Sequence, residues 1–174
     1  MSAPVIRPAT ATDIPAVRAL LEETWHATYD SLLGRDVVTD ITRRWHAEEV
    51  LAAEIGRAGQ VFLVADVDGR IAGTASAKAT GKTTGKGEVD LNRLYILPHY
   101  QGRGLGKALL AASLAAFPAA RAVSLEVHPN NAPAIAFYER AGFVELSRGN
   151  ACGGDSAAGI AHLLMRKDVG VAAT

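Results

Sequence analysis

Leu94-Tyr95-Ile96-Leu97-Pro98-His99-Tyr100-Gln101-Gly102-Arg103-Gly104-Leu105-Gly106-Lys107 is the stretch from which the fold of this 174-residue chain can be read. An apolar run suited to a strand gives way to a glycine-rich turn carrying one arginine. Ala108, Leu109, Leu110, Leu114 and Phe117 then supply the apolar positions of a helix. Glycine lets the backbone approach a ligand closely, because no Cβ intervenes. Free N–H groups at a helix start, with the positive end of the helix dipole, favour an anion. The stretch therefore predicts a strand, turn and helix that cradle a pyrophosphate.

Three such cradles differ in spacing. The dinucleotide fingerprint needs G-x-G-x-x-G, and glycines at 102, 104 and 106 miss its third position. The P-loop needs G-x-x-x-x-G-K-[ST]. Gly81-Lys82-Thr83 provides its tail, but Ser76 stands where the first glycine belongs, and the segment lies between two strand-like runs. What remains is Gln101-x-x-Gly104-x-Gly106. About twenty residues on begins Val127-His128-Pro129-Asn130-Asn131, followed by Ala134-x-x-Phe137-Tyr138-x-x-x-Gly142-Phe143. The first pattern alone suits any glycine-rich strand-to-helix turn. Both, in this order and separation, resemble the two signatures of the Gcn5-related N-acetyltransferases, and the resemblance runs over roughly residues 4 to 167.

Composition agrees with one globular domain, 1–174. Hydrophobic residues make up 49 % and charged residues 21 %, so the chain can bury a core of its own. The formal net charge of zero argues against a nucleic acid held by bulk charge. Cys152 is the only cysteine, so no internal disulfide can form. The start lacks an apolar leader core, and no apolar run approaches the roughly 18 residues of a membrane span, so a cytoplasmic location is expected. Monomer and homodimer stay open. Residues 1–60 hold nine acids against six bases, a net of −3, which the remainder reverses. Solvated helix faces explain this. So would a cationic acceptor near the first part and a polyanionic cofactor on the second.

In chain order, Val5-Ile6-Arg7 reads as a strand. Thr12 is a candidate helix cap, and Ile14, Val17, Leu20, Leu21 and Trp25 follow at helical spacing. After Gly34, a second helical stretch carries Val37, Val38, Ile41, Trp45, Leu51 and Ile55. Val61–Ala65 and Ile71–Ala77 flank Asp68-Gly69, a strong hairpin turn. Residues 88–96 alternate: Glu88, Asp90, Asn92, Leu94 and Ile96 share one face, while Val89, Leu91, Arg93 and Tyr95 share the other. Residues 122–127 alternate too, with Glu126 on the polar side. A helix opens at Asn131 and Pro133 and ends at Gly142. Phe143–Leu146 and Ile160–Met165 read as a final hairpin around the glycine-rich loop Gly149 to Gly159, a candidate lid. The tail from Val169 is expected to fray. The order β-α-α-β-β-β-α-β-α-β-β fits an α/β (α+β) fold. The resemblance implies a mixed, mostly antiparallel sheet of six to seven strands flanked by helices, with two splayed parallel strands at its centre.

The resemblance also implies direct acetyl transfer from acetyl-CoA, as acyl donor, to a primary amine without an acyl-enzyme and without a metal. Phosphates would be held by Gly102, Arg103, Gly104, Leu105, Gly106 and Lys107, with Gln101 in the motif. The pantetheine arm would lie along Leu94, Tyr95 and Ile96. Tyr138 would be the acid, since a phenol with a pKa of about 10 keeps its proton at neutral pH; packing on the helix stripe is the competing role. Asn131 would contact the cofactor, cap the helix, or both. Two bases compete. Glu126 stands where ribosomal-protein acetyltransferases of the family carry theirs, and Asp90 where histone-type members do. Either could instead pair with Arg93, Arg103 or a lysine. Trp25 and Tyr29 are candidates for the acceptor pocket, although Trp25 also completes an apolar stripe. His26 suits the surface, and Cys152, with no partnering motif, reads as a bystander thiol. Glu23-Thr24-Trp25-x-x-Thr28-Tyr29 resembles the first helix of polyamine-acetylating relatives. A small polyamine-like or amino-acid-like amine and a protein N-terminus all remain compatible acceptors. A non-catalytic acyl-CoA-binding module is the alternative, and the failed P-loop spacing disfavours a nucleotide-binding switch.

Overall fold

Residues 3–80, 87–149 and 160–170 are described by the computed structural model of the chain. Lys82 and Lys86 of the expected polar loop, Cys152 and nearly all of the glycine-rich loop after Gly149 lie outside these residues. Along the chain run β1 (Val5–Pro8), α1 (Ile14–Leu33), α2 (Arg35–Trp45), α3 (Glu48–Ala52), β2 (Gln60–Val67), β3 (Arg70–Thr80), β4 (Glu88–Ile96), α4 (Leu105–Ala115), β5 (Ala122–Val127), α5 (Ala132–Arg140), β6 (Val144–Gly149) and β7 (His162–Asp168). The strands form one sheet in the order β1-β2-β3-β4-β5-β7-β6. β1/β2, β5/β7 and β6/β7 pair antiparallel, and β4/β5 pair parallel from Glu88↔Ala122 to Leu91↔Leu125. This is the mixed, mostly antiparallel sheet with a central parallel pair that the sequence led us to expect. No described helix is long and apolar enough to cross a membrane. The chain divides into two units: Met1–Ala77 with Arg93–Ala116, and Lys78–Asn92 with Phe117–Thr174.

In the first unit, α1 buries Ile14, Val17, Leu20, Leu21, Trp25 and Tyr29, the stripe expected from the spacing. The cap differs from expectation. Thr10, not Thr12, precedes the short 3₁₀ turn Ala11–Asp13. Its N–H and hydroxyl both donate to Asp13 Oδ2, at 2.8 and 2.9 Å, and Arg7 grips the same carboxylate with two hydrogen bonds. Gly34, at φ +87°, ends α1 in a conformation that disfavours a side chain. The second helical stretch is two helices, because α2 ends at Trp45 and α3 starts at Glu48. Asp68 and Gly69 both take positive φ, as a type I′ hairpin turn requires.

β2 is apolar on both faces because both are covered. Phe62 and Val64 pack with Ile14, Val17, Leu20, Leu21 and Leu51, whereas Leu63 and Ala65 pack with Leu105 and Leu109. Gly73 shows how close this second layer lies: a Cβ there would sit 2.6 Å from Ile96 Cδ1 and 3.0 Å from Leu109 Cδ1. Strand β4 and helix α4 are thereby set against β3, which fixes the turn between them.

In the second unit, β5 buries Val123, Leu125 and Val127 and leaves Glu126 exposed. Asn131 Oδ1 accepts from the N–H of Ala134 at 3.3 Å, capping α5. Gly142, at φ +91°, ends the turn that follows, and the N–H of Phe143 donates to the Tyr138 carbonyl at 3.0 Å. The final hairpin forms, but β7 inserts between β5 and β6. Val169 does not begin the frayed tail, since its N–H donates to the Arg121 carbonyl at 2.9 Å.

Candidate active site

In the first unit, the strand β4 ends at Ile96, a 3₁₀ turn covers Pro98–Tyr100, and α4 starts at Leu105. Gly102 and Gly104 both take positive φ, +73° and +82°, and nothing lies within 4 Å of a Cβ built at either. The backbone here is thus open to an approaching group. The amides opening α4 have no carbonyl one turn earlier to receive them, as at any helix start. Gln101 Nε2 donates back to the Ile96 carbonyl at 3.1 Å, tying the turn to the strand. The Arg103 and Arg70 guanidinium carbons lie 5.3 and 5.8 Å from the centre of the Tyr100 ring. Two cations therefore lie against the Tyr100 ring, one residue before Gln101. An anion of pyrophosphate size fits this chemistry: open backbone, helix amides and arginine.

Also in the first unit, Trp25 is the hub of an aromatic cluster. Its ring centre lies 4.7 Å from that of Tyr29, 5.8 Å from Trp45, 5.6 Å from His46 and 6.3 Å from Tyr95. Beside it is a buried polar network. Arg93 pairs with Glu54, and the same carboxylate oxygen, Oε2, accepts from Gln60 at 2.7 Å and from Ser76 at 3.0 Å. The Arg93 guanidinium lies over the Phe62 ring. Burial, assisted by the positive charge of Arg93, lowers the His46 pKa to about 3, so the imidazole is neutral at pH 7. His26 lies outside this cluster: its Nδ1 is 2.6 Å from Asp30 Oδ1, one turn along α1.

The second unit carries the carboxylates. Asp90 and Ser124 are register partners on β4 and β5. Burial raises the Asp90 carboxyl above the usual range; Glu126 and Glu88 add to the shift, and Lys78 opposes it. Glu88 is held by Arg166 at 2.9 Å. Tyr138 is buried on α5, edge-on to Phe137 at 5.2 Å and to Phe143 at 5.6 Å.

A sequence model of the acetyltransferase (GNAT) family matches residues 15–143, which run through both units. The chain belongs to the GNAT family. The PaiA N-acetyltransferase of Thermoplasma acidophilum, solved in complex with coenzyme A, shares the fold of this GNAT chain with a TM-score of 0.82 at 23 % identity, covering 97 % of this chain and all of that one. The spermidine N(1)-acetyltransferase of the same organism is 26 % identical over 144 residues, 79 % of this chain and 86 % of that protein. A mycothiol acetyltransferase of Clavibacter michiganensis is 43 % identical over 86 residues, 48 % of this chain. That match spans only 26 % of the mycothiol enzyme's length.

For this GNAT chain, the structure gathers Trp25, Tyr29 and Tyr95 in one cluster and places Gln101 to Gly104 in the turn and Leu105 to Lys107 in the first turn of α4. It gives Asp90 and Glu126 a shared field on neighbouring strands. The sequence reading missed Trp45, His46, Glu54 and Arg70. One signal was available: Arg93 alternates with Val89 and Leu91 on a buried face, and a charge there needs a buried partner.

Proposed function

We propose that the chain is an acetyl-CoA-dependent N-acetyltransferase, with residues 1–174 acting as one catalytic domain and a primary amine as acceptor. The observation that carries this reading is the turn at Gly102 and Gly104, open to a ligand and leading into α4, in a chain of this family. The amides from Gly102 to Lys107 hold the pyrophosphate of the donor, and Arg103 adds charge. The backbone of Leu94, Tyr95 and Ile96 pairs with the pantetheine amides and offers an N–H to the thioester oxygen as charge develops on it. Asn131 contacts the donor as well as capping α5.

Acetyl-CoA supplies the acetyl group. In the transfer, a nitrogen–carbon bond forms and the carbon–sulfur bond breaks. The amine loses one proton and the departing thiolate takes one up. Tyr138 donates the latter. Asp90 receives the former, directly or through water, because its raised carboxyl is a stronger base than an ordinary aspartate. Glu126, exposed on the neighbouring strand, contributes charge that strengthens Asp90. The acceptor is a small polyamine-like or amino-acid-like amine or a protein N-terminus.

Thiol release from acetyl-CoA across a panel of amines tests the reading. Amine-dependent release with formation of the N-acetyl product is expected. Tight acetyl-CoA binding with no release for any amine would instead mark a non-catalytic acyl-CoA-binding module.

A further inference from the structure

Among the described residues of the first unit, four buried side-chain polar atoms lack a hydrogen-bond partner, and three of them belong to one neighbourhood: Trp25 Nε1, His46 Nδ1 and Arg93 Nε; the fourth, Ser113 Oγ, lies apart on α4. Trp25 meets His46 edge-on at 5.6 Å, Arg93 is the charge that acts on His46, and Tyr95, two positions along β4 from Arg93, reaches Trp25. A buried donor left unpaired costs about 1–3 kcal/mol. Native proteins answer such groups with a ligand or an ordered water.

Charge and valence specify what would answer these. Arg93 is already neutralised by Glu54, and His46 is neutral at pH 7. The neighbourhood therefore has no net charge to offer, and it presents two fixed N–H donors plus an imidazole. A bare polyamine brings only donors and positive charge. It would leave the Trp25 and Arg93 N–H groups unmet and set a cation beside Arg93. A free carboxylate would set a second anion beside Glu54. A neutral carbonyl accepts from both donors and adds no charge.

From these atoms we infer that the acceptor is a primary amine adjacent to a neutral amide carbonyl, an aminoacyl or peptidyl amide, whose carbonyl is held by Trp25 and Arg93. This rests on the N-acetyltransferase reading and selects among its acceptors. Tyr29, Trp45 and Tyr95 provide the apolar walls for the group attached to the amine-bearing carbon.

Both tryptophans of the chain, Trp25 and Trp45, lie in the cluster, so intrinsic emission reports on it without turnover. The experiment titrates alaninamide, a short peptide with an N-terminal alanine, free alanine and spermidine into the CoA-loaded chain. Saturable emission changes are expected with alaninamide, the peptide or both, and none with free alanine or spermidine. A response to only one of the two amides separates a small amide from a protein N-terminus as the source. Trp25→Phe keeps a ring and leaves Trp45 as reporter. It should weaken amide binding roughly threefold to tenfold, the loss of one hydrogen bond, with the CoA dissociation constant unchanged. Emission that answers spermidine or free alanine but not the amides, or none of the four ligands, overturns the inference. Thiol release with spermidine would then leave the enzymatic reading standing. Conversely, amide binding without thiol release would support the pocket and remove the enzyme.

Discussion

Gln101 holds Ile96: its side-chain amide donates to the Ile96 carbonyl at 3.1 Å, across the turn that carries Gly102 and Gly104. The end of β4 and the start of α4 are thereby fixed to each other before any ligand arrives, and the ordering cost of binding at the turn is reduced.

A ligand that binds only the folded chain raises its melting temperature. Acetyl-CoA should do so, and NAD and ATP should not. Gly104→Asp should abolish the shift, because it forces a side chain into a positive-φ position and sets a negative charge against the phosphates. A shift with NAD and none with acetyl-CoA would contradict the cradle assignment. Gln101→Ala should leave the fold intact and weaken acetyl-CoA binding, measured by calorimetry.

Tyr138→Phe keeps the ring packing against Phe137 and Phe143 and removes the hydroxyl proposed as proton donor. Loss of a general acid costs about 10² to 10⁴ in rate. The fall should appear in kcat, with the acetyl-CoA dissociation constant unchanged, as for an interaction made mainly in the transition state. Near-normal kcat in the variant, with chemistry shown to limit the rate, would reduce Tyr138 to a packing residue.

Asp90→Asn makes a two-sided prediction. As the proposed base, Asp90 must be ionised to act, so the wild-type rate should fall as pH drops through a pKa above that of an ordinary aspartate, and the variant should lose both the rate and this limb. Stability moves the other way. The folded chain holds the Asp90 proton more tightly than the unfolded chain, so ionised Asp90 opposes folding at neutral pH. The variant should therefore melt higher than wild type. A variant that is both inactive and less stable would point to a structural role.

His46 sets an acid limb of stability. The unfolded chain protonates this residue near pH 6.5 and the folded chain near pH 3, so the unfolded state binds more protons between these values. Stability then falls as pH falls, by about 2 kcal/mol between pH 7 and pH 5 from this group. Denaturant titrations of wild type and His46→Asn should show that slope lost in the variant. Asp13, held by Arg7 well below the usual carboxylate range, loses its contribution at lower pH still. An unchanged slope in His46→Asn would contradict a neutral, buried imidazole.

What the sequence made legible was local. Gly34, Asp68-Gly69, the Asn131 cap and Gly142 act within a few residues, and each does in the structure what its chemistry requires. The alternation of β4 placed Arg93 on the buried face. Its partner, Glu54, lies 39 residues away, and no periodicity links the two. The break between α2 and α3 was hidden because neither glycine nor proline marks His46-Ala47. The cap at Thr10 rather than Thr12 depends on Asp13 being shared with Arg7, a contact made only once β1 lies beside the helix start. The place of β7 between β5 and β6 is likewise a matter of pairing partners, which a strand pattern does not encode. The aromatic cluster joins Trp25 and Tyr29, Trp45 and His46, and Tyr95 from three separate stretches of the chain, and no periodicity links one stretch to another.

The direct character of the transfer is tested most plainly in a single turnover. The enzyme is mixed with acetyl-CoA labelled in its acetyl group, with and without a turned-over amine, and quenched over time. Label on protein, label on amine and free thiol are then counted together. The account predicts that label reaches the amine in step with thiol, that protein carries none at any time, and that no thiol is released without amine. Label on the protein before it reaches the amine, or thiol release at the same rate without amine, would contradict it.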